Sequence, residues 1–283
     1  MSLTHSATRP APRKDVRIRS NRERPGVIRS RLVPLVLPWL VPAVGILVWQ
    51  VAADLGGLPP RFLPSPLSVV RAAVRLGMSG ELARHIGVST RRAAIGFAIG
   101  GSIGLALGFL NGLSATADRL LDTTLQMLRS VPHLAIIPLV ILWLGIGETA
   151  KVALVALGVV FPLYLNTLHG LKGLDPRLIE LGRVHGLSRA AMLRRIVLPG
   201  AFPSILVGVR YGLGLMWLTL IVAETISADA GIGYLAMNAR EFLQSDVVVL
   251  SILLYALLGK LADAVTRWLE RRLLPWHPRL GTR

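Results

Sequence analysis

Cysteine is absent from the 283 residues, which excludes disulfides and thiolate metal sites but assigns no compartment. A nucleotide-binding signature is missing too. The phosphate-cradling pattern Gly-x-x-x-x-Gly-Lys-Ser/Thr does not occur, and the lone Gly259-Lys260 pair is followed by Leu261 inside an apolar run. The six histidines, His5, His85, His133, His169, His185 and His277, show no metal-ligand spacing, and no serine, histidine and acid are placed for nucleophilic catalysis. Carboxylates are scarce, 15 Asp and Glu against 32 Lys and Arg, and there is no internal repeat. The chain therefore reads as a non-enzyme with no nucleotide cofactor or metal of its own, and any nucleotide must be hydrolysed by another subunit.

What fills the chain instead is apolar sequence, 53% of all residues, gathered into blocks rather than spread at the spacing of a soluble core. A membrane span needs roughly 20 apolar residues to cross about 30 Å of hydrocarbon. Six blocks qualify: 32–53, 93–113, 131–146, 150–170, 201–224 and 247–267. The third is short and is expected to borrow residues from the preceding 120s. The fold class is accordingly all-α, a polytopic membrane protein with about six transmembrane helices.

The net charge of +17 would suggest nucleic acid in a soluble protein. Here the Lys and Arg residues sit mainly in the tail and in alternate loops, a pattern that reports orientation. Residues 1–31 carry nine Lys and Arg against Asp15 and Glu23 and are expected in the cytoplasm, without apolar periodicity, touching anionic lipid rather than nucleic acid. Six crossings put the basic segment 172–200 and the basic tail 268–283 on the same side. The first span is expected to be a retained anchor, since the basic stretch before it is too long for a cleaved signal. Residues 54–92 then fall outside despite Arg61, Arg71, Arg75, Arg84, Arg91 and Arg92. Short interfacial helices over 66–78 and 80–90, with Arg91 and Arg92 snorkelling to the surface, would accommodate them.

Within the spans, Gly96, Gly100, Gly104, Gly108 and Gly112 recur every four residues. They share one helical face and let a neighbouring backbone approach, as membrane helices require where lipid removes the hydrophobic drive. Gly208 and Gly212 repeat the theme. Ionisable residues inside lipid mark proton relays and ion pathways, but few are found. Arg210 lies part-way into the fifth span, and Lys260 and Asp263 are spaced to pair near the end of the sixth. Pro132 should break or start a helix, and Pro162 should kink the fourth span, where Tyr164 and Asn166 offer polar groups. Tyr164, Asn166 and Arg210 are the candidate pathway residues.

Between the fourth and fifth spans the chain turns polar. Asp175-Pro176 reads as an N-cap and first helical residue, Gly186 as a left-handed helix end, and Ser188 as the cap of a second short helix running through Arg194 and Arg195 until Pro199 stops it. The spacing Glu180, Gly186, Ile196-Val197-Leu198-Pro199 resembles the EAA loop of binding-protein-dependent ABC transporter permeases, with Leu181 and Gly182 in place of the two alanines. The runs 121–151 and 214–249 are similar to the aliphatic sulfonate permeases, a likeness that extends over about residues 35–275.

This resemblance implies the MetI-like fold of type I ABC importer permeases in the bacterial inner membrane. It implies partners as well: a second copy of the chain, a cytoplasmic ABC ATPase dimer that binds ATP and Mg, and an extracytoplasmic substrate-binding protein. Glu180, Leu181, Gly182, Gly186, Leu187, Ile196, Leu198 and Pro199 become the ATPase-coupling residues, and 225–246 a candidate surface for the binding protein. The expected organisation is a tail over 1–31, a first span and interfacial segment over 32–92, a permease core over 93–267 holding the coupling loop 172–200, and a tail over 268–283. Taurine, nitrate or another small substrate stays open as cargo. The rivals from other classes are an ion-coupled secondary transporter and a membrane scaffold.

Overall fold

The computed structural model describes residues 33–57, 59 and 62–274. The expected basic tail 1–31 and residues 275–283 of the C-terminal tail lie outside them. The chain divides into two compact units, residues 1–48 and 49–283. The first contributes the opening turns of helix α1 (Val33–Asp54), and the second holds everything that follows.

All regular structure among the described residues is helical. Ser65 caps α2 (Pro66–Met78) by accepting from the Ser68 amide at 3.2 Å, with Pro66 in the first turn, where its missing N–H costs nothing. Gly80, at φ +80°, then admits α3 (Glu81–Leu113). Ser114 ends α3 and caps α4 (Ala115–Ser130). A short 3₁₀ turn over His133–Ile136 leads into α5 (Ile137–Leu144), which stops at Gly145 with φ +73°. Then come α6 (Glu148–Lys172), α7 (Pro176–Val184), α8 (Arg189–Met192), a π-helical turn over Leu193–Val197, α9 (Leu198–Ser227), α10 (Ile232–Glu241) and α11 (Ser245–Leu273).

Four stretches among the described residues are long and apolar enough to cross a membrane: Glu81–Leu113, Glu148–Lys172, Arg189–Ile226 and Ser245–Leu273. A fifth exists if α4 and the segment His133–Leu144 count as one span, and Trp39–Asp54 is a shorter apolar helix where the first span was expected. Length and composition thus give four or five spans where the sequence suggests about six. The third expected span is two pieces bent by 80°. Pro132 explains the break, because it lacks an N–H and keeps Val131 out of the helical region, at ψ +122°.

Helix α6 lies between α3 and α9. A Cβ on Gly96 would come within 2.6 Å of the Val155 side chain, and one on Gly108 within 2.5 Å of Thr167. Cβ atoms on Gly100 and Gly104 would run into the backbone carbonyls of Ala156 and Val160, and one on Gly112 into Leu171. The five glycines therefore form the groove into which α6 packs. On the other side, Gly208 and Gly212 of α9 meet Asn166 and Leu163 in the same way. The small outlying helices are held differently: Val69, Ala72 and Leu76 of α2 bury against Leu235 and Ala239 of α10 and Val247 and Leu250 of α11.

Three sequence expectations change in detail. The segment 80–90 is the first part of α3 rather than a separate helix. Asp263 pairs with Arg267 and Arg210, and no Lys260–Asp263 pair is found among the described residues. Pro199 does not end a helix. The preceding turn is π-helical, with the Leu198 amide donating to the Leu193 carbonyl, and Pro199 falls in the first turn of α9. A wide turn shifts the hydrogen-bond register at the point where proline offers no donor, so the chain stays helical from Arg189 to Ile226.

Candidate functional site

Two arrangements of polar residues stand at opposite ends of the α3–α6–α9 bundle. At the end where α6 stops and α9 begins lies the polar elbow. Asp175 accepts from the Arg177 amide at 2.9 Å and starts α7. Gly186, at φ +68°, closes it: the Leu187 amide donates to the Gly182 carbonyl at 3.0 Å and the Gly186 amide to the Arg183 carbonyl at 2.9 Å, a Schellman end. Ser188 then caps α8 by accepting from the Ala191 amide at 3.3 Å.

The elbow folds back on itself at Gly182, which is buried. A Cβ there would sit 2.7 Å from the Met192 thioether and 2.8 Å from Ile196. Val197, with Leu171, Ala201 and Ile205, anchors the base of the elbow in the helix bundle. Ile196, Leu187, Leu198 and Pro199 are half-buried along the inner side. Glu180 and Gly186 face outward, and so do Leu178, Leu181 and Val184, which are 46%, 53% and 83% exposed. Spaced three apart, these apolar side chains form one stripe on α7, flanked by Arg177 and Arg183. An exposed apolar stripe with a charged border is the composition of a protein-contact surface.

At the opposite end, where α3 and α6 begin and α9 ends, a charged cluster runs from the buried Glu224, Arg92 and Lys151 out to the solvent-exposed Glu148. The Glu224 carboxylate is wholly buried and accepts from Ser89 Oγ at 2.8 Å, from Arg92 at 2.8 Å, from the Gly233 amide at 2.9 Å and from Tyr255 Oη at 3.0 Å. Arg92, 4% exposed, also bonds both oxygens of Glu148, which Lys151 approaches to 3.3 Å. Two cations and two anions make the cluster neutral, the condition under which charge survives away from water.

The same cluster pins the segment after α9. Arg92 donates to the Ala230 carbonyl, the Gly231 amide donates to His85 Nδ1 at 3.0 Å, and the Ile232 amide donates to Ser89 Oγ at 2.8 Å. Gly231 has φ +122°, and a Cβ there would overlap the Glu224 carboxylate, so two constraints call for glycine at once. Beside the cluster lies a cavity of about 320 Å³, with Arg91 and Glu148 on its wall.

The sequence does not reveal this cluster by its spans, because Arg92, Glu148 and Glu224 lie at the edges of the apolar blocks 93–113, 150–170 and 201–224 rather than inside them. Arg92 does not snorkel; its guanidinium turns inward to Glu224. The available signal was positional: three spans each carry an ionisable residue at the end that alternating topology places on the same side.

The candidate pathway residues all have partners within the subunit. Tyr164 Oη accepts from Asn111 Nδ2 at 3.1 Å and faces α3. Asn166 Nδ2 donates to the Pro162 carbonyl at 2.8 Å, and the Asn166 carbonyl accepts from Ser204 Oγ at 2.7 Å. Arg210 reaches Glu270 of α11 at 2.6 Å and Asp263 at 3.5 Å. The structure does not bring the three together in one site. No group of three or more His, Asp or Glu that could hold a metal occurs among the described residues.

Comparison with known proteins fits this architecture. Residues 100–275 match the family described as binding-protein-dependent transport system inner membrane component. The putative aliphatic sulfonates transport permease protein SsuC of Escherichia coli is 61% identical over 86% of this chain and 92% of its own length. Its namesake from Bacillus subtilis is 45% identical over 84% and 86%, and the taurine transport system permease protein TauC of E. coli is 38% identical over 88% and 91%. A chain of the inward-facing MetNI methionine ABC transporter shares the fold, with a TM-score of 0.54 at 20% identity, covering 68% of this chain and 97% of that one. With this match over most of the helical core, the chain belongs to the inner membrane components of binding-protein-dependent transport systems, the permease subunits of ABC importers.

Proposed function

We infer that this chain is the pore-forming half of an ATP-driven importer of aliphatic sulfonates. It works with a second copy of itself, two cytoplasmic ABC ATPases and an extracytoplasmic binding protein. The choice of cargo is carried by the 61% identity to the E. coli sulfonate permease across 92% of that protein. The taurine permease, at 38%, makes taurine the second reading.

The elbow supports the division of labour. Leu178, Leu181 and Val184 offer an apolar stripe that no other described residue covers, and Glu180 beside them has no ion pair among the described residues. An ATPase that binds ATP and Mg would grip this stripe and move it, and the unbroken helix from Arg189 to Ile226 would carry the movement through the membrane. In this arrangement the elbow is cytoplasmic, as are both termini, and the Glu224 cluster faces outward. Tyr164, Asn166 and Arg210 would shape the pathway by holding α3, α9 and α11 in place around it.

Proteoliposomes containing this chain, its ATPase and its binding protein test the reading with labelled ethanesulfonate, taurine and nitrate. ATP-dependent ethanesulfonate uptake is expected. Uptake of nitrate alone would refute the choice of cargo, and downhill sulfonate flux through the chain by itself would show a secondary transporter.

A further inference from the structure

Helix α4 forms the first part of the bent third span, and its polar residues are not scattered. Arg119, Asp122, Thr123, Gln126, Arg129 and Ser130 stand at i, i+3, i+4, i+7, i+10 and i+11, which puts them on one face of the helix. None is buried. Ser130 Oγ donates to the Gln126 carbonyl at 3.0 Å, and no other side-chain hydrogen bond or ion pair of the six is found among the described residues. The rest of the helix surface is mainly apolar. Leu121 and Leu125 pack with Tyr164 and Leu168 of α6, while Leu120, Met127 and Leu128 are 71%, 64% and 53% exposed.

The packing of α4 and α5 against α6 fixes how deep this face reaches. Asp118 accepts from Lys172 at the end of α6, at 2.8 Å, and Leu125 lies against Leu168 and Tyr164. A Cβ on Gly158 would lie 3.8 Å from His133, and Ile137 and Val140 pack with Leu154 and Ala150. The two segments thus run antiparallel in step, and Arg129, half-way from Leu125 to His133, stands near the level of Phe161. At 1.5 Å per residue that is about 16 Å along α6 from Lys172 and about 20 Å from Glu148, close to the middle of the span. The cytoplasmic surface is out of reach of an arginine side chain placed there.

A polar face at this depth does not lie in hydrocarbon. Charged residues within spans turn to the bundle interior or to a water-filled cavity, and pair there. Arg129 is exposed on the subunit, so the interior does not take it. It has no acidic partner at its level either, since the nearest carboxylate of α4, Asp122, is two turns or about 10 Å toward the cytoplasm. We propose that the polar stripe of α4 lines the cytoplasmic half of the passage, and that Arg129 at its upper end is the cation that receives the sulfonate headgroup at mid-membrane. A guanidinium keeps its charge and presents a planar fork of N–H donors to oxyanions, which is what a sulfonate, with acceptors and no proton to give, requires. An anion held by one cation and otherwise by water is also free to leave, as a conduit demands.

The inference rests on the sulfonate reading above, and the test separates the two. In proteoliposomes with the ATPase and binding protein, Arg129→Gln is expected to lower labelled ethanesulfonate uptake about tenfold, as loss of one hydrogen bond to a charged group implies. Arg129→Lys keeps the cation and is expected to retain most of the uptake. Assembly is verified by co-purification of the ATPase. Wild-type uptake in Arg129→Gln, or an equal fall in Arg129→Lys, would overturn the contact. Because the chain has no cysteine, single cysteines report the lining without background. Thr123→Cys and Ser130→Cys are expected to react with the water-soluble 2-sulfonatoethyl methanethiosulfonate, and Leu120→Cys and Met127→Cys, on the apolar side, are not. Labelling of all four alike, or of neither polar position, would overturn the passage. Should Arg129→Gln fail to assemble, Ser130→Cys decides. There the sulfonate reagent should outpace its trimethylammonium counterpart about fivefold relative to a free thiol, the effect of one charge about 4 Å away in water. Equal relative rates would overturn the contact, as when an acid of the second copy neutralises Arg129. Should the wild type carry nitrate and no sulfonate, the cargo reading falls, and the same variants scored with nitrate still decide whether Arg129 contacts the anion.

Discussion

Replacing Glu224 by glutamine keeps the shape of the side chain and removes one charge from a place that water does not reach. The Arg92 and Glu224 side chains are 4% and 0% exposed, and breaking a pair so buried costs about 3–5 kcal/mol because the surviving ion is left uncompensated. Arg92 would retain Glu148, which, although 63% exposed and screened by solvent, still leaves the guanidinium partly paired. The lower end of the range, about 3 kcal/mol, is therefore the charge contribution. The new amide adds to it. Ser89, Gly233 and Tyr255 all donate to the carboxylate, and an NH₂ group facing any of them leaves a buried donor unmatched, for about 1 kcal/mol or more. At about 2–4 °C per kcal/mol for a chain of this size, the melting temperature of the purified protein should fall by about 10 °C. Thermal unfolding in detergent, followed by tryptophan fluorescence, measures it. A variant melting within about 2 °C of wild type would show that the cluster does not hold α3, α6 and α9 together.

The glycine groove and the elbow make separate predictions. Gly100→Val drives a branched side chain into the Ala156 backbone, which cannot swing aside, so about 3 kcal/mol of stability should be lost and the α3–α6 pair should separate; limited proteolysis of the detergent-solubilised variant checks it. Gly186→Val forces a β-branched residue to φ +68°, at a local cost of roughly 1–2 kcal/mol. Because the site is on the exposed elbow, membrane insertion should survive while binding-protein-stimulated ATP hydrolysis and uptake are lost. Undiminished uptake would count against the docking role of the elbow.

The parts of this protein that could be read from sequence are those whose causes are local. Asp175-Pro176, Gly186 and Ser188 act within a turn of themselves, and each occupies its expected place in the elbow. Pro199 shows the limit of local reasoning. Its missing N–H is as real as that of Pro132, yet only Pro132 breaks a helix, because a π-helical turn precedes Pro199 and absorbs the lost bond. Nothing in the letters Leu193 to Val197 announces that turn. The 80° bend at Val131–Pro132 is similar: proline marks the position, while the angle is set by packing of Ile137 and Val140 against Leu154 and Ala223.

The Glu224 cluster was hidden for a different reason. Hydropathy weighs a charge by the block that contains it, and a charge at the end of a block weighs nothing against membrane insertion. Three such ends become a site only when three helices are brought together, and the sequence separations involved, 132 residues from Arg92 to Glu224 and 56 from Arg92 to Glu148, are beyond any local rule. The glycine ladder is what closes that gap. By letting α3 and α6 approach backbone to backbone, it brings Arg92, one turn before Gly96, against the first turn of α6, where Glu148 and Lys151 stand. A four-residue repeat that is legible as packing therefore positions a charge cluster that is not legible at all.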